Sequence, residues 1–159
     1  MQLKITVKEV LQFLLESYTN DGGSLSYDIG EIANRNNINI HELGAYLKVN
    51  GWVKDGHFLP TSFRCAISRS GIHYIAPHYF SDLMENLIIT AGLTNDWTSI
   101  MESLPFEPKD FQRAFDLGKE IEAVGLAEVQ NLPTDVFVKL TLSGRERYEK
   151  RNNGGFFNG

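Results

Sequence analysis

The chain has 159 residues, 42% hydrophobic and 22% charged side chains, a formal net charge of −5 and one cysteine. That length allows one ordinary domain or two small ones, and the composition is that of a globular protein. No apolar run approaches the roughly 18 residues of a membrane span. The opening MQLKITVKEV lacks the basic-then-apolar layout of a secretory signal. Cys65 has no second cysteine to pair with, so a reducing cytoplasm is the expected compartment.

In chain order, Thr6 and Glu9 have capping-box spacing, and Val7, Val10, Leu11, Leu14, Leu15 and Tyr18 follow at helical period. TNDGGS reads as a loop. YDIGEIANR reads as a short second helix with Ile29, Ile32 and Ala33 inward. Asn39 and Glu42 repeat the capping-box pattern, and a third helix runs to about Asn50, where Gly51 suits the left-handed end of a helix. Trp52-Val53-Lys54 then reads as a strand, Asp55-Gly56 as a turn and Arg64 to Ser68 as the returning strand.

The second half repeats the order. Ser81 is expected to cap a helix bearing Leu83, Leu87 and Ile88, and a second helix near DWTSIMESL turns Trp97, Ile100 and Met101 inward. Pro108 suits the first position of a third helix, whose expected buried face is Phe111, Ala114, Leu117, Ile121 and Val124. Strands at 126–130 and 135–141 follow, bent at Leu132-Pro133.

The two halves align directly. Leu43-Gly44, Leu47 and Gly51 match Leu117-Gly118, Ile121 and Gly125 at an offset of 74. Leu59-Pro60-Thr61, Ile67-Ser68 and Ser70-Gly71 match Leu132-Pro133-Thr134, Leu140-Thr141 and Ser143-Gly144 at 73, and Thr6 matches Ser81 at 75. An ordered set at nearly constant offset indicates a duplicated unit.

Three helices followed by a two-stranded hairpin is winged-helix order. AISRSG and KLTLSGRERYEK resemble the segment that closes the wing in MarR- and PadR-type regulators. The resemblance covers about 6–77 and 81–151. It implies a mainly α fold with small β-hairpins (α+β), arranged as tandem winged helices. Residues 1–77 form one domain, 78–152 the second and 153–159 a flexible tail. IAPHYF, between them, is short and aromatic. The two halves are expected to pack, with Tyr79 and Phe80 buried there.

The resemblance also implies where a partner would bind. In DNA-binding members the third helix enters the major groove and the wing touches the backbone. The corresponding exposed positions are His41, Ala45 and Lys48, with Lys54 and Arg64 on the wing; in the second half they are Lys109, Gln112, Arg113 and Lys119, with Asp116 and Glu120 beside them. Phosphate contacts dominate DNA affinity. Residues 1–77 hold seven basic and seven acidic side chains and residues 78–159 eight and thirteen, so the footprint is thin and thinner in the second half. Double-stranded DNA is the first expected partner and transcription regulation the first expected role. The alternative is a protein-interaction module that presents Phe58, Leu59, Pro60, Leu132 and Pro133 at the two wing tips, although the favoured account of the repeated Leu-Pro-Thr is a bend that both hairpins need.

No catalytic residues, cofactor or metal site is expected. HELGA begins like a zinc-protease helix but has Ala45 where the second histidine belongs. His73 and His78 have no second ligand pair at metal spacing. NDGGS and NNGGFFNG lack the strand and lysine of a phosphate loop. Cys65 reads as a small buried residue, and the cations near the C-terminus, Arg145, Arg147, Lys150 and Arg151, as complements to a helix dipole.

Overall fold

The computed structural model of the protein describes residues 2–105 and 109–158, with backbone alone over 153–158. The chain divides into two compact units, Met1–Tyr79 and Phe80–Gly159. The break falls two residues after the expected boundary. Each unit combines helices with one small antiparallel three-stranded sheet.

Unit one begins with α1, Gln2–Asp21, whose stripe Val7, Val10, Leu11, Leu14 and Tyr18 is buried. The helix starts earlier than the Thr6-Glu9 pair suggests. Thr6 is buried inside it and donates to the Gln2 carbonyl at 2.8 Å, while Glu9 reaches away to Arg35 and Asn36. A two-residue strand, β1 (Tyr27–Asp28), precedes α2 (Gly30–Arg35), so the expected second helix is shorter at its start. α3 spans Ile40–Val49, and the Asn39 side chain accepts from the amides of His41 and Glu42. β2 (Val53–Leu59), β3 (Ser62–Ile67) and α4 (Arg69–Ile75) complete the unit, with sheet order β1-β3-β2. The core collects Ile29, Ala33, Leu43, Leu47, Phe63, Cys65, Ile67 and Ile72, all essentially inaccessible.

Asp55-Gly56 is not the hairpin turn. Both residues lie within β2, and the chain reverses at Pro60-Thr61. The pairing slips by one residue between Lys54 and His57, and Asp55 takes φ +54°. This is a β-bulge, where one strand carries an extra residue. Gly56 fits because a Cβ there would stand 2.8 Å from the Phe63 ring. A turn-like dipeptide and a bulge make the same demand for a left-handed residue, so sequence alone favours the commoner use.

Unit two follows the same plan. α5 spans Tyr79–Gly92, so Ser81 lies inside the first turn rather than at its cap. Phe80 is buried and Tyr79 half-buried. β4 (Thr98–Ser99) leads into α6 (Ile100–Ser103), with Ile100 buried and Trp97 38% exposed. α7 spans Phe111–Ala123, capped by the Asp110 side chain; Pro108 lies outside the described residues. β5 (Ala127–Asn131) and β6 (Val136–Leu140) pair without a bulge, in sheet order β4-β6-β5. α8 runs Leu142–Asn158, so the backbone over 153–158 is helical where a tail was expected.

The absence of a bulge in the β5–β6 ladder explains the change of offset. Gly51 and Gly125 differ by 74, but residues past the hairpin differ by 73, because β2 holds one residue more than β5 between matched pairs.

Both units also close on the same clasp. Gly51 and Gly125 end α3 and α7 at φ +72° and +76°. The following amides, Trp52 and Leu126, return to the carbonyls of Leu47 and Ile121 at 3.2 Å. The hydroxyls of Ser68 and Thr141 donate to the Gly51 and Gly125 carbonyls at 2.6 and 2.7 Å and accept the amides of Gly71 and Gly144 at 3.0 and 3.1 Å. A Cβ on Gly71 would lie 2.1 Å from the Trp52 carbonyl oxygen, and one on Gly144 2.0 Å from that of Leu126. The repeated glycines therefore serve two needs: a left-handed helix end and a close backbone approach.

A third correspondence is reciprocal. In unit one the Asp28 carboxylate accepts from the Gly30 amide at 2.7 Å and from the Ser62 hydroxyl. In unit two the acid and the alcohol have changed strands: Ser99 donates to Asp135 at 2.5 Å, and the Met101 amide points to the same carboxylate at 3.3 Å.

Candidate nucleic-acid interface

In unit one, α3 buries Ile40, Leu43, Gly44 and Leu47 and leaves His41, Glu42, Ala45, Tyr46 and Lys48 outward. Helical period dictates that division, and Gly44 fixes how closely the helix lies on the hairpin: a Cβ there would meet the Phe58 and Phe63 rings at 2.9 Å. Phe58 consequently sits at the helix edge, 43% exposed, tilted against Phe63 with centroids 4.6 Å apart.

His41 and Lys48 converge on Phe58 from the two ends of α3. The His41 ring stacks on it at 5.6 Å, with Nε2 3.1 Å from the Pro60 carbonyl oxygen. Lys48 holds its Nζ 5.5 Å from the Phe58 centroid. Ala45 is exposed between them. Lys54 is half-buried on β2, and His57, immediately after the bulge, is exposed on the hairpin. Leu59 and Pro60 are exposed at its tip.

Arg64 is exposed on β3 but tied to the sheet edge. It pairs across the ladder with Asp28 and donates to the Ser26 carbonyl at 2.9 Å. The Asp28 carboxyl is held below the ordinary carboxylate range, chiefly by the Ser62 hydroxyl and the Gly30 amide, with Arg64 a smaller contributor. Burial pushes the Cys65 thiol up to about 12, so it is no nucleophile at neutral pH.

The face of α7 expected to be outward lies elsewhere in the structure. Arg113, Asp116 and Glu120 on α7 are 4%, 5% and 7% exposed, whereas Phe111 is half-buried and Val124 is 55% exposed. The buried surface of α7 is thus a stripe through 113, 116 and 120 beside the apolar stripe 114, 117 and 121. Counting period assigns a charged stripe to solvent, and the structure buries it instead. Gln112, half-buried, donates to Asp116 at 3.0 Å. Lys109 donates to the Glu102 carbonyl at 3.2 Å, and the Lys119 ammonium lies 5.3 Å from the Phe115 centroid. Leu132 and Pro133 are exposed at the bend. Of the nine positions expected to meet DNA, the structure brings His41, Ala45 and Lys48 onto one helix face with Lys54 on the adjoining hairpin, and withdraws Arg113.

Among the described residues no three His, Cys, Asp or Glu side chains converge as a metal site would require, and no helix is long and apolar enough to cross a membrane. No protein-family model, curated protein or solved structure matches the chain.

Proposed function

We propose that the chain is a non-catalytic tandem winged-helix protein that binds double-stranded DNA through unit one alone, in a transcription-regulatory role. The observation that carries this reading is the asymmetry between the third helices. At the offset of 74, His41, Ala45 and Lys48 of α3 are all exposed beside a hairpin bearing Lys54 and His57, whereas their counterparts Phe115 and Lys119 on α7 are half-buried and Glu122 adds an acid. A helix entering the major groove needs its outer face exposed. The helix, helix, helix, hairpin order in each unit supports the winged-helix assignment, with β1 and β4 as the short third strands.

Lys48 and Lys54 are the two ammonium groups on this edge, and Glu42 is exposed on the same helix. Two neutralised phosphates give a slope of log affinity against log salt of about −1.8, so binding is weak and tightest at low salt. The test is a salt-dependent anisotropy titration with mixed-sequence duplex. Lys48→Ala should flatten the slope by roughly one unit, and Arg113→Gln should leave it unchanged. Absence of binding near about 50 mM salt, where phosphate contacts are strongest, would refute the reading.

A second reading has its own support. The same edge exposes Val49 (86%), Phe58 (43%) and Leu59 (38%), an apolar content that suits a protein surface. Under that reading Phe58→Ala abolishes partner capture and Lys48→Ala does not.

A further inference from the structure

α1 and α4 of unit one enclose an open groove of about 500 Å³ lined by Lys4, Ile5, Lys8, Tyr74 and Ile75. Its chemistry is not that of the α3 edge. Lys4 and Lys8 stand one helical turn apart, both exposed, a like-charged spacing that costs helix stability unless an anion answers it. The neighbouring acid in sequence, Glu9, is turned away and held by Arg35 and Asn36. Among the described residues no carboxylate lines the groove.

The wall opposite the lysines is a fixed aromatic platform. Tyr74 is 51% exposed and stacks on Trp52 with centroids 4.2 Å apart and planes at 21°. Tyr46 sets its edge against the same indole at 6.0 Å. Trp52 is held in turn by the clasp, because its carbonyl accepts the Ser68 amide and its amide returns to Leu47. The phenol ring therefore has one face locked and one offered, with two ammonium groups across the groove. A planar stacking surface beside positive charge is the combination that binds single-stranded nucleic acid, bases on the ring and phosphates on the cations.

We infer that this groove binds a segment of single-stranded nucleic acid, with Tyr74 stacking a base and Lys4 and Lys8 contacting its phosphates. The site is separate from the α3 edge, and the two fail independently.

The test uses the full chain and a fluorescein-labelled oligothymidylate, with mixed duplex, thymidine monophosphate and an acidic tryptophan-containing peptide as competitors. The single strand should bind more tightly than the duplex. Tyr74→Ala should weaken it by about 5- to 150-fold, the range of one base–aromatic stack. Tyr74→Phe, which keeps the ring, should bind normally, and this separates loss of stacking from loss of fold. Lys4→Gln with Lys8→Gln should flatten the salt slope by about 1.4, and Lys48→Ala should leave single-strand binding unchanged. Undetectable oligonucleotide binding at low salt would overturn the inference, as would binding indifferent to Tyr74→Ala. Full competition by the mononucleotide at equal concentration would assign the groove to free nucleotides instead, and binding of the peptide alone would assign it to a protein; either outcome also overturns it.

Discussion

Replacing Gly144 by alanine tests the clasp most directly, because two effects of known sign oppose each other. Gly144 is the third residue of α8, and alanine in a helix is favoured over glycine by up to about 1 kcal/mol. Steric crowding acts the other way and outweighs that gain. The new Cβ would stand 2.0 Å from the Leu126 carbonyl oxygen and 3.1 Å from Leu140 Cβ, so backbone, not a flexible side-chain end, must move. Separating them by an ångström strains the Thr141 amide bond to that same carbonyl, 3.1 Å, and the Gly144 amide bond to the Thr141 hydroxyl. Overpacking costs about 1–3 kcal/mol and each weakened hydrogen bond about 1 kcal/mol. The net loss is about 2–4 kcal/mol, or roughly 8–32 °C in the melting of an 80-residue unit. The neighbouring Ser143→Ala is exposed and should stabilise by a few tenths of a kcal/mol. Melting followed by circular dichroism and calorimetry reads both. A Gly144→Ala protein as stable as the parent would mean that the close approach does not exist.

Gly51→Ala isolates the other demand: nothing stands within 4 Å of a Cβ there, but φ is +72°, so the cost should be the left-handed penalty alone, roughly 1–2 kcal/mol, readable in a urea titration. Cys65 should be silent to a thiol reagent at pH 8 while folded and react fully once unfolded, since burial holds its pKa near 12; rapid native-state labelling would contradict that burial. Asp28 has a depressed folded pKa, so its contribution is present above the unfolded value of about 3.9 and is lost as pH falls through the folded value. Asp28→Asn should therefore shallow the decline of stability below about pH 4, and an unchanged acid limb would show that the Ser62 and Gly30 contacts do not favour the charged form.

Features written as single residues with one structural meaning were legible in the sequence. Gly51 and Gly125 mark helix ends because few residues tolerate positive φ, and Asn39 marks a helix start because its side chain replaces missing carbonyl partners. The alternation of helix and hairpin followed from apolar period. What was not legible depends on partners distant in sequence. β1 and β4 are two residues each and exist only because β3 and β6 offer them an edge. Asp55-Gly56 has turn chemistry but is used as a bulge. Thr6 resembles a cap, yet α1 extends past it because a buried hydroxyl can return to the carbonyl four residues back. At the candidate site, the outward face of α3 was legible from its period. The convergence of His41 and Lys48 on Phe58 was not, since Phe58 lay beyond a misplaced turn. The burial of Arg113, Asp116 and Glu120 escaped because helical period assigns a charged stripe beside an apolar one to solvent.

The bulge in β2 shows where these units absorb a change of length. Insertions are usually accommodated in loops, where no ladder is disturbed. Here one extra residue of the first half resides inside a strand, at Asp55 and Gly56, and the pairs on either side, Lys54 with Ala66 and His57 with Arg64, keep their faces. Excising one of those two residues would restore the even ladder that the second half already has, leaving Phe58 on Phe63 and the clasp untouched. Length in this duplicated chain can thus drift by one codon at the middle of a strand while both its glycine-bound corners remain in register.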